Sequence, residues 1–222
     1  MKKVIAIDGP SGAGKSTISK ELAKILGFQY LDTGALYRAV AYHFFIKFSH
    51  IKDFSTLSER EIKKELENIK IHYENGRIFL NGKDVSLLIR DPQIGAITSE
   101  LSAKQVIRDF LLPLQRDFAK IMDIVAEGRD MTTVVFPDAW KKFYLDASPE
   151  IRAKRRYEQL LSLGKEITFE EALKDVIERD KRDSSRQNAP LRISEDAFYI
   201  DTSMLDLQEV ISLILKKVAE SA

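Results

Sequence analysis

The run Gly9-Pro10-Ser11-Gly12-Ala13-Gly14-Lys15-Ser16 constrains this chain more than any other stretch of it. It matches G-x-x-x-x-G-K-[ST] at every specified position. It is entered from Val4-Ile5-Ala6-Ile7, a short apolar run that reads as a parallel strand buried on both faces. It leads into residues 16–26, where Ile18, Leu22, Ala23, Ile25 and Leu26 recur at the helical period and Gly27 supplies a stop. Strand, glycine-rich turn and helix in that order make a cradle for phosphate oxygens. Glycines let backbone N–H groups curl inward without Cβ obstruction, and the start of the helix adds partial positive charge. Lys15 is expected to reach the β- and γ-phosphates of ATP and the Ser16 hydroxyl to ligate Mg²⁺. Gly9, Pro10, Ser11, Gly12, Ala13, Gly14 and Thr17 are expected to line the triphosphate.

The rest of the chain alternates in the same way. Strands are predicted over 28–31, 121–126, 142–145 and 197–200, and helices over 35–48, 95–120, 149–163, 168–183 and 207–218. The middle departs from this pattern. A charged helix over 59–68 precedes three short alternating runs, separated by Asn75-Gly76 and Asn81-Gly82, which are strong type I′ hairpin signals. The expected fold is a three-layer α/β architecture of the P-loop NTPase kind. It has a five-stranded parallel sheet, a small antiparallel β insert and a helical lid. One domain is expected over 1–222. Its core would span about 1–58, 99–150 and 184–222, its insert about 59–98 and its lid about 151–183.

Composition excludes several classes. The chain has no cysteine, so disulfides, thiolate zinc sites and cysteine nucleophiles are out. Its 35 Lys+Arg nearly balance 34 Asp+Glu, which gives no whole-molecule pull toward nucleic acid or anionic membrane. The first apolar run stops at Asp8, too short for a signal h-region or a membrane span, so the cytoplasm is the expected compartment. Expected partners are small molecules only, with no nucleic-acid polymer and no membrane, and the chain is expected to act as a monomer. His43, His50 and His72 lack metal-ligand spacing and read as surface or packing residues. Trp140 reads as a packing anchor.

Phosphate cradles also serve GTPase switches, motors and ATP sensors. The guanine-reading Asn-Lys-x-Asp and the switch Asp-x-x-Gly are both absent. A motor needs an apolar run ending in an acid, for which Ile124-Val125-Ala126-Glu127 is only an undistinctive candidate. A small kinase must hold a second anion, which calls for arginines beyond the carboxyl ends of the strands. Arg38 and Arg129 lie there. Arg152, Arg155 and Arg156 share one helical face, and Arg179, Arg182 and Arg186 another, with Leu163-Gly164-Lys165 as a hinge between the two helices. The competing reading of these helices is a pair of solvated faces laced with pairs such as Glu178–Arg182. A kinase for another acceptor, such as UMP or a small metabolite, and a non-catalytic ATP sensor both stay open on these grounds.

Four stretches carry a resemblance. They are Ile7-Asp8-Gly9-Pro10-Ser11-Gly12-Ala13-Gly14-Lys15-Ser16-Thr17, Leu31-Asp32-Thr33-Gly34-Ala35-Leu36-Tyr37-Arg38, Glu127-Gly128-Arg129-Asp130-Met131-Thr132-Thr133-Val134-Val135-Phe136-Pro137 and Glu178-Arg179-Asp180-Lys181-Arg182-Asp183. In this order, over nearly the whole chain, they closely resemble bacterial cytidylate kinases. The resemblance implies ATP- and Mg²⁺-dependent phosphorylation of CMP and dCMP to CDP and dCDP. It implies that Arg38 and Arg129 hold the acceptor phosphate with Arg186, and that Ser99, Arg108, Asp130 and Thr33 surround the cytosine. Arg179 and Asp183 would lie near the sugar and phosphates. Arg152, Arg155 and Arg156 would belong to a lid over ATP, and Lys15, Arg129, Arg155 and Arg179 would carry catalysis. Thr33 stands where family members often have Ser, and Ser99 and Arg108 sit in a loosely matching segment, aligned by their nine-residue spacing.

Overall fold

The computed structural model describes residues 2–74 and 76–220. In chain order its elements are β1 (Val4–Asp8), α1 (Lys15–Leu26), β2 (Gln29–Asp32), α2 (Thr33–Lys47), α3 (Glu59–Leu66), β3 (Ile71–Glu74), β4 (Arg77–Leu80), β5 (Lys83–Asp84), α4 (Pro92–Leu101), α5 (Gln105–Ile121), β6 (Ile124–Glu127), β7 (Lys141–Asp146), α6 (Pro149–Ser162), α7 (Phe169–Ser185), β8 (Phe198–Asp201) and α8 (Leu207–Ala219). Single turns of 3₁₀ helix at Phe54–Thr56 and Leu88–Arg90, and one turn of π-helix at Met131–Val135, complete them.

The five-stranded sheet runs β2-β6-β1-β7-β8 with every neighbouring pair parallel. Alternate side chains of the central strand feed two cores, because successive residues of a strand face opposite sides. Val4 and Ala6 join a core with α2, α4 and α5. Ile5 and Ile7 join another with α1 and α8, where Trp140 packs as a partly buried neighbour. Burial on both faces is why β1 reads as an unbroken apolar run. Helices on both faces and a phosphate-binding turn after the first strand make this the three-layer P-loop fold.

Strands β3-β4-β5 form the small antiparallel sheet. Asn81 and Gly82 both adopt left-handed backbone, with φ of 49° and 81°, as a type I′ turn requires. Asn75, half of the other hairpin signal, lies outside the described residues. Among the described residues no helix is long and apolar enough to cross a membrane.

Two element expectations need correction. The helix read over 95–120 is two helices, α4 and α5, broken at Ser102-Ala103-Lys104. Apolar periodicity runs across the break because both halves bury into the same core. The strand read from Ile121 begins at Ile124 instead, and Ile121 is the exposed end of α5.

Candidate active site

The carboxyl ends of β1, β2 and β6 open onto a cleft of about 1250 Å³. Its floor is the turn between β1 and α1. Gly9 has φ of 147°, and a Cβ there would fall 1.9 Å from the Leu145 carbonyl oxygen, so only glycine fits. Ser11 through Thr17 line the cleft, Ser16 and Thr17 with exposed side chains. Lys15 is buried and donates to the Pro10 carbonyl at 2.6 Å. Burial, and then the charge of Arg129, pull its ammonium down to about 7.

The opposite wall is an arginine cluster. Arg38 lies on α2 one turn past Asp32, and Gly34 leaves its guanidinium room, since a Cβ would meet it at 3.3 Å. Arg129 donates from Nε to Asp183 at 2.9 Å, and Arg186 approaches the same carboxylate at 3.8 Å. Burial pulls Arg129 down, but the carboxylates of Asp183, Glu127 and Asp8 together outweigh it and the net shift is upward. Arg179 is pulled down to about 9, first by burial and then by Arg129 and Arg38. So many like charges at one wall make an anion site.

Beside this cluster, Arg108 and Asp130 form a buried ion pair, and Arg108 also donates to the Ser102 carbonyl at 3.1 Å. The Tyr37 ring lies against the Arg108 guanidinium. Ser99, whose buried hydroxyl has no protein partner, and Asp183 line the same wall. Thr33 donates its hydroxyl to the Glu127 carbonyl at 2.6 Å and borders the cleft.

The structure therefore gathers Lys15, Ser16, Thr33, Arg38, Ser99, Arg108, Arg129, Asp130, Arg155, Arg156, Arg179, Asp183 and Arg186 around one cleft. Arg152 stands apart. It is buried behind the phosphate cradle, donating to the carbonyls of Ala147 at 2.8 Å and Ser11 at 3.2 Å and pairing with Asp180 at 2.7 Å. Arg155 spans from the cradle to Thr202, whose carbonyl accepts at 2.7 Å, and Arg156 pairs with Asp175 across the α6–α7 hairpin. Arg182 faces solvent, whereas Arg179 and Arg186 border the cleft; α7 ends at Ser185 and Arg186 continues in extended backbone. The Glu178–Arg182 pair does not form; Glu178 meets Lys174 at 3.9 Å instead.

The site residues expected from the sequence did not include Arg90 or Glu127, which also border the cleft. Arg90, after the small sheet, donates to Asp32 at 2.9 Å. Glu127 borders the cleft at the end of β6 and accepts from the Tyr30 hydroxyl at 2.7 Å. The sequence signal for Glu127 was its place at the end of an apolar strand; Arg90 gave none.

A glycine-rich triphosphate cradle facing an arginine wall defines a P-loop kinase whose acceptor is itself anionic, the class of the nucleoside monophosphate kinases. The cytidylate kinase family model matches residues 5–220, so the chain belongs to the cytidylate kinase family. A cytidylate kinase of Thermodesulfovibrio yellowstonii is 77% identical over 222 residues, 100% of either chain. That of Thermosipho melanesiensis is 47% identical over 216 residues, 97% of this chain and 96% of the relative. A solved structure of an uncharacterized protein from Eubacterium ventriosum shares the fold, with a TM-score of 0.53 at 14% identity over 98% of this chain and 99% of that one.

Proposed function

We propose that this enzyme transfers the γ-phosphoryl group of ATP to CMP and dCMP, giving ADP with CDP or dCDP. The observation that carries the reading is the buried Arg108–Asp130 pair beside the arginine wall. Cytosine presents an exocyclic amine next to an unprotonated ring nitrogen, so it needs an acceptor beside a donor. The Asp130 carboxylate has four lone-pair sites and can keep Arg108 while accepting from the amine. Uracil would put a carbonyl against that carboxylate and leave buried polar groups mismatched, which sites of this kind reject strongly. Ser99 and Thr33 border the same place.

Phosphoryl transfer asks for positioning and charge neutralisation rather than covalent help. An oxygen of the acceptor phosphate attacks the γ-phosphorus in line, and the bond to the β-bridging oxygen breaks. The acceptor is already an oxyanion near neutral pH, so no strong general base is needed. Arg38, Arg129 and Arg186 would hold it, with Arg179 and Asp183 toward the sugar and phosphates. Lys15 would leave the Pro10 carbonyl for the β- and γ-oxygens, whose negative charge favours its protonated form. Arg155 and Arg156 would close over the donor, and Arg152 would support the cradle from behind.

Mg²⁺ keeps most of its water and takes only one or two protein oxygens alongside phosphate oxygens. The exposed Ser16 hydroxyl, with the Glu127 carboxylate bordering the same cleft, fits that demand. Among the described residues no group of three or more His, Asp or Glu could hold a metal without phosphate. The ion would neutralise charge on the transferred group. The cytoplasm is the proposed compartment and a monomer the proposed state. A coupled ADP-release assay over a panel of monophosphates tests the reading: turnover should depend on CMP or dCMP, whereas an ATP sensor gives no acceptor-dependent turnover and a kinase for another acceptor prefers a different one.

A further inference from the structure

Asp130 opens a single turn of π-helix, Met131–Val135, closed by Val135 N–H and Phe136 N–H bonds to the carbonyls of Asp130 at 3.0 Å and Met131 at 2.8 Å. Such turns are rare and often lie at functional sites. A residue in Asp130's position ordinarily caps the turn with its own carboxylate. Asp130 makes no such cap. Its carboxylate is turned to Arg108 and the cleft instead.

The cap comes from elsewhere. Asp8, the last residue of β1, is fully buried, and its carboxylate accepts from Met131 N–H at 2.8 Å, Thr132 N–H at 2.7 Å and the Thr132 hydroxyl at 2.7 Å. The far end of the turn is held in the same manner by the opposite charge. Arg116, on α5, donates from Nε to the Val135 carbonyl at 2.9 Å and from a terminal nitrogen to the Val134 carbonyl at 2.9 Å. An anion thus sits on the free N–H groups and a cation on the free carbonyls, each where the helix dipole favours it. The corner is packed as tightly as it is bonded: a Cβ on Gly128 would lie 2.7 Å from the Met131 methyl and 2.8 Å from the Thr33 hydroxyl.

We propose that Asp8, Thr132 and Arg116 are positioning residues for base selection: they hold the π turn from outside so that Asp130 is released from capping it and is aimed at the acceptor base. The inference rests on Asp130 reading cytosine, as proposed above. Neither Arg116 nor Thr132 borders the cleft, so neither touches substrate. Asp8 directly precedes Gly9, so the residue that holds the π turn is also the last one before the glycine-rich turn.

The test is steady-state kinetics with CMP and UMP on Arg116→Ala, Arg116→Lys, Thr132→Val and Asp130→Ala. Thr132→Val keeps shape and fold while deleting one bond to Asp8. Thr132→Val should lower the CMP/UMP ratio of kcat/KM about fivefold, as for one lost hydrogen bond, and Arg116→Ala, which loses two, by at least as much. KM for CMP should rise, with KM for ATP and kcat little changed. Arg116→Lys, which keeps the charge and one donor, should lie between wild type and Arg116→Ala. If Asp130→Ala lowers the ratio while Arg116→Ala and Thr132→Val lower kcat for both substrates equally or do nothing, the positioning role is overturned and base reading stands. If Asp130→Ala leaves the ratio unchanged, the base reading itself fails.

Discussion

The proposed donor-phosphate cradle is one unbroken stretch, Ser11 to Thr17, whereas the proposed acceptor end assembles Arg38 from α2, Ser99 from α4, Arg108 from α5, Asp130 from the turn after β6 and Asp183 from α7. The contrast follows from the ligands. A triphosphate is met mostly by backbone N–H groups, which neighbouring residues of one curled turn supply together. A monophosphate and a pyrimidine edge need charged side chains from several directions, which only tertiary structure brings together. The donor end is therefore a local property of the chain and the acceptor end a property of the fold.

Breaking each end should produce a different signature. Lys15→Ala should give the largest effect, a loss of kcat on the order of 10²–10³, for every acceptor alike, with the thermal midpoint little changed. Near-normal turnover in a folded Lys15→Ala protein would remove the donor assignment. Asp130→Ala should cost CMP about 2–4 kcal/mol in kcat/KM and UMP less, because only cytosine donates to that carboxylate.

Asp8 stands where the two ends meet, and its titration probes both. Burial, offset in part by the hydrogen bonds from Thr132 and Met131, raises its carboxyl from 3.8 to about 6. The folded state then binds more protons than the unfolded chain between about pH 4 and 6, so Asp8 withdraws stability as pH rises through that window. The amount is on the order of 3 kcal/mol. Urea unfolding of wild type and Asp8→Asn at pH 4 and pH 7 reads it: the variant should gain on wild type as pH rises, and parallel curves would place the Asp8 titration elsewhere. Arg38→Ala should give the smallest effect on discrimination. CMP and UMP should weaken together by about 2 kcal/mol, since both present the same phosphate. A change in the CMP/UMP ratio there would mean that phosphate and base roles are exchanged.

What could be read from the sequence follows the same divide. The cradle, the parallel sheet and the Asn81-Gly82 turn were all local patterns, and the structure carries them. The acceptor side was legible only as residue types in suggestive places or through family likeness. Arg152 shows the limit: it shares a helical face with Arg155 and Arg156, yet it is buried with carbonyl partners from Ser11 and Ala147. Helical spacing tells which residues lie together, not what is packed against them. Arg90 meets Asp32 across 58 residues, and Asp8 meets Thr132 across 124. No periodicity spans such separations. The break between α4 and α5 escaped for the opposite reason, since both helices keep the same core-facing pattern.

The strand order has a consequence for how the molecule comes into being. The central strand β1 leaves the ribosome first, but its neighbours β6 and β7 begin at Ile124 and Lys141. At roughly 5–20 residues per second, the apolar strand carrying Asp8 waits roughly 6–25 s for its first hydrogen-bonded partner. A hairpin such as β3–β4, whose strands are adjacent in the chain, needs only about 1–10 μs once exposed. Nascent chains should thus acquire the small sheet early and the nucleotide cradle late. During that interval Val4-Ile5-Ala6-Ile7 is an apolar segment still without the strands it will pair with.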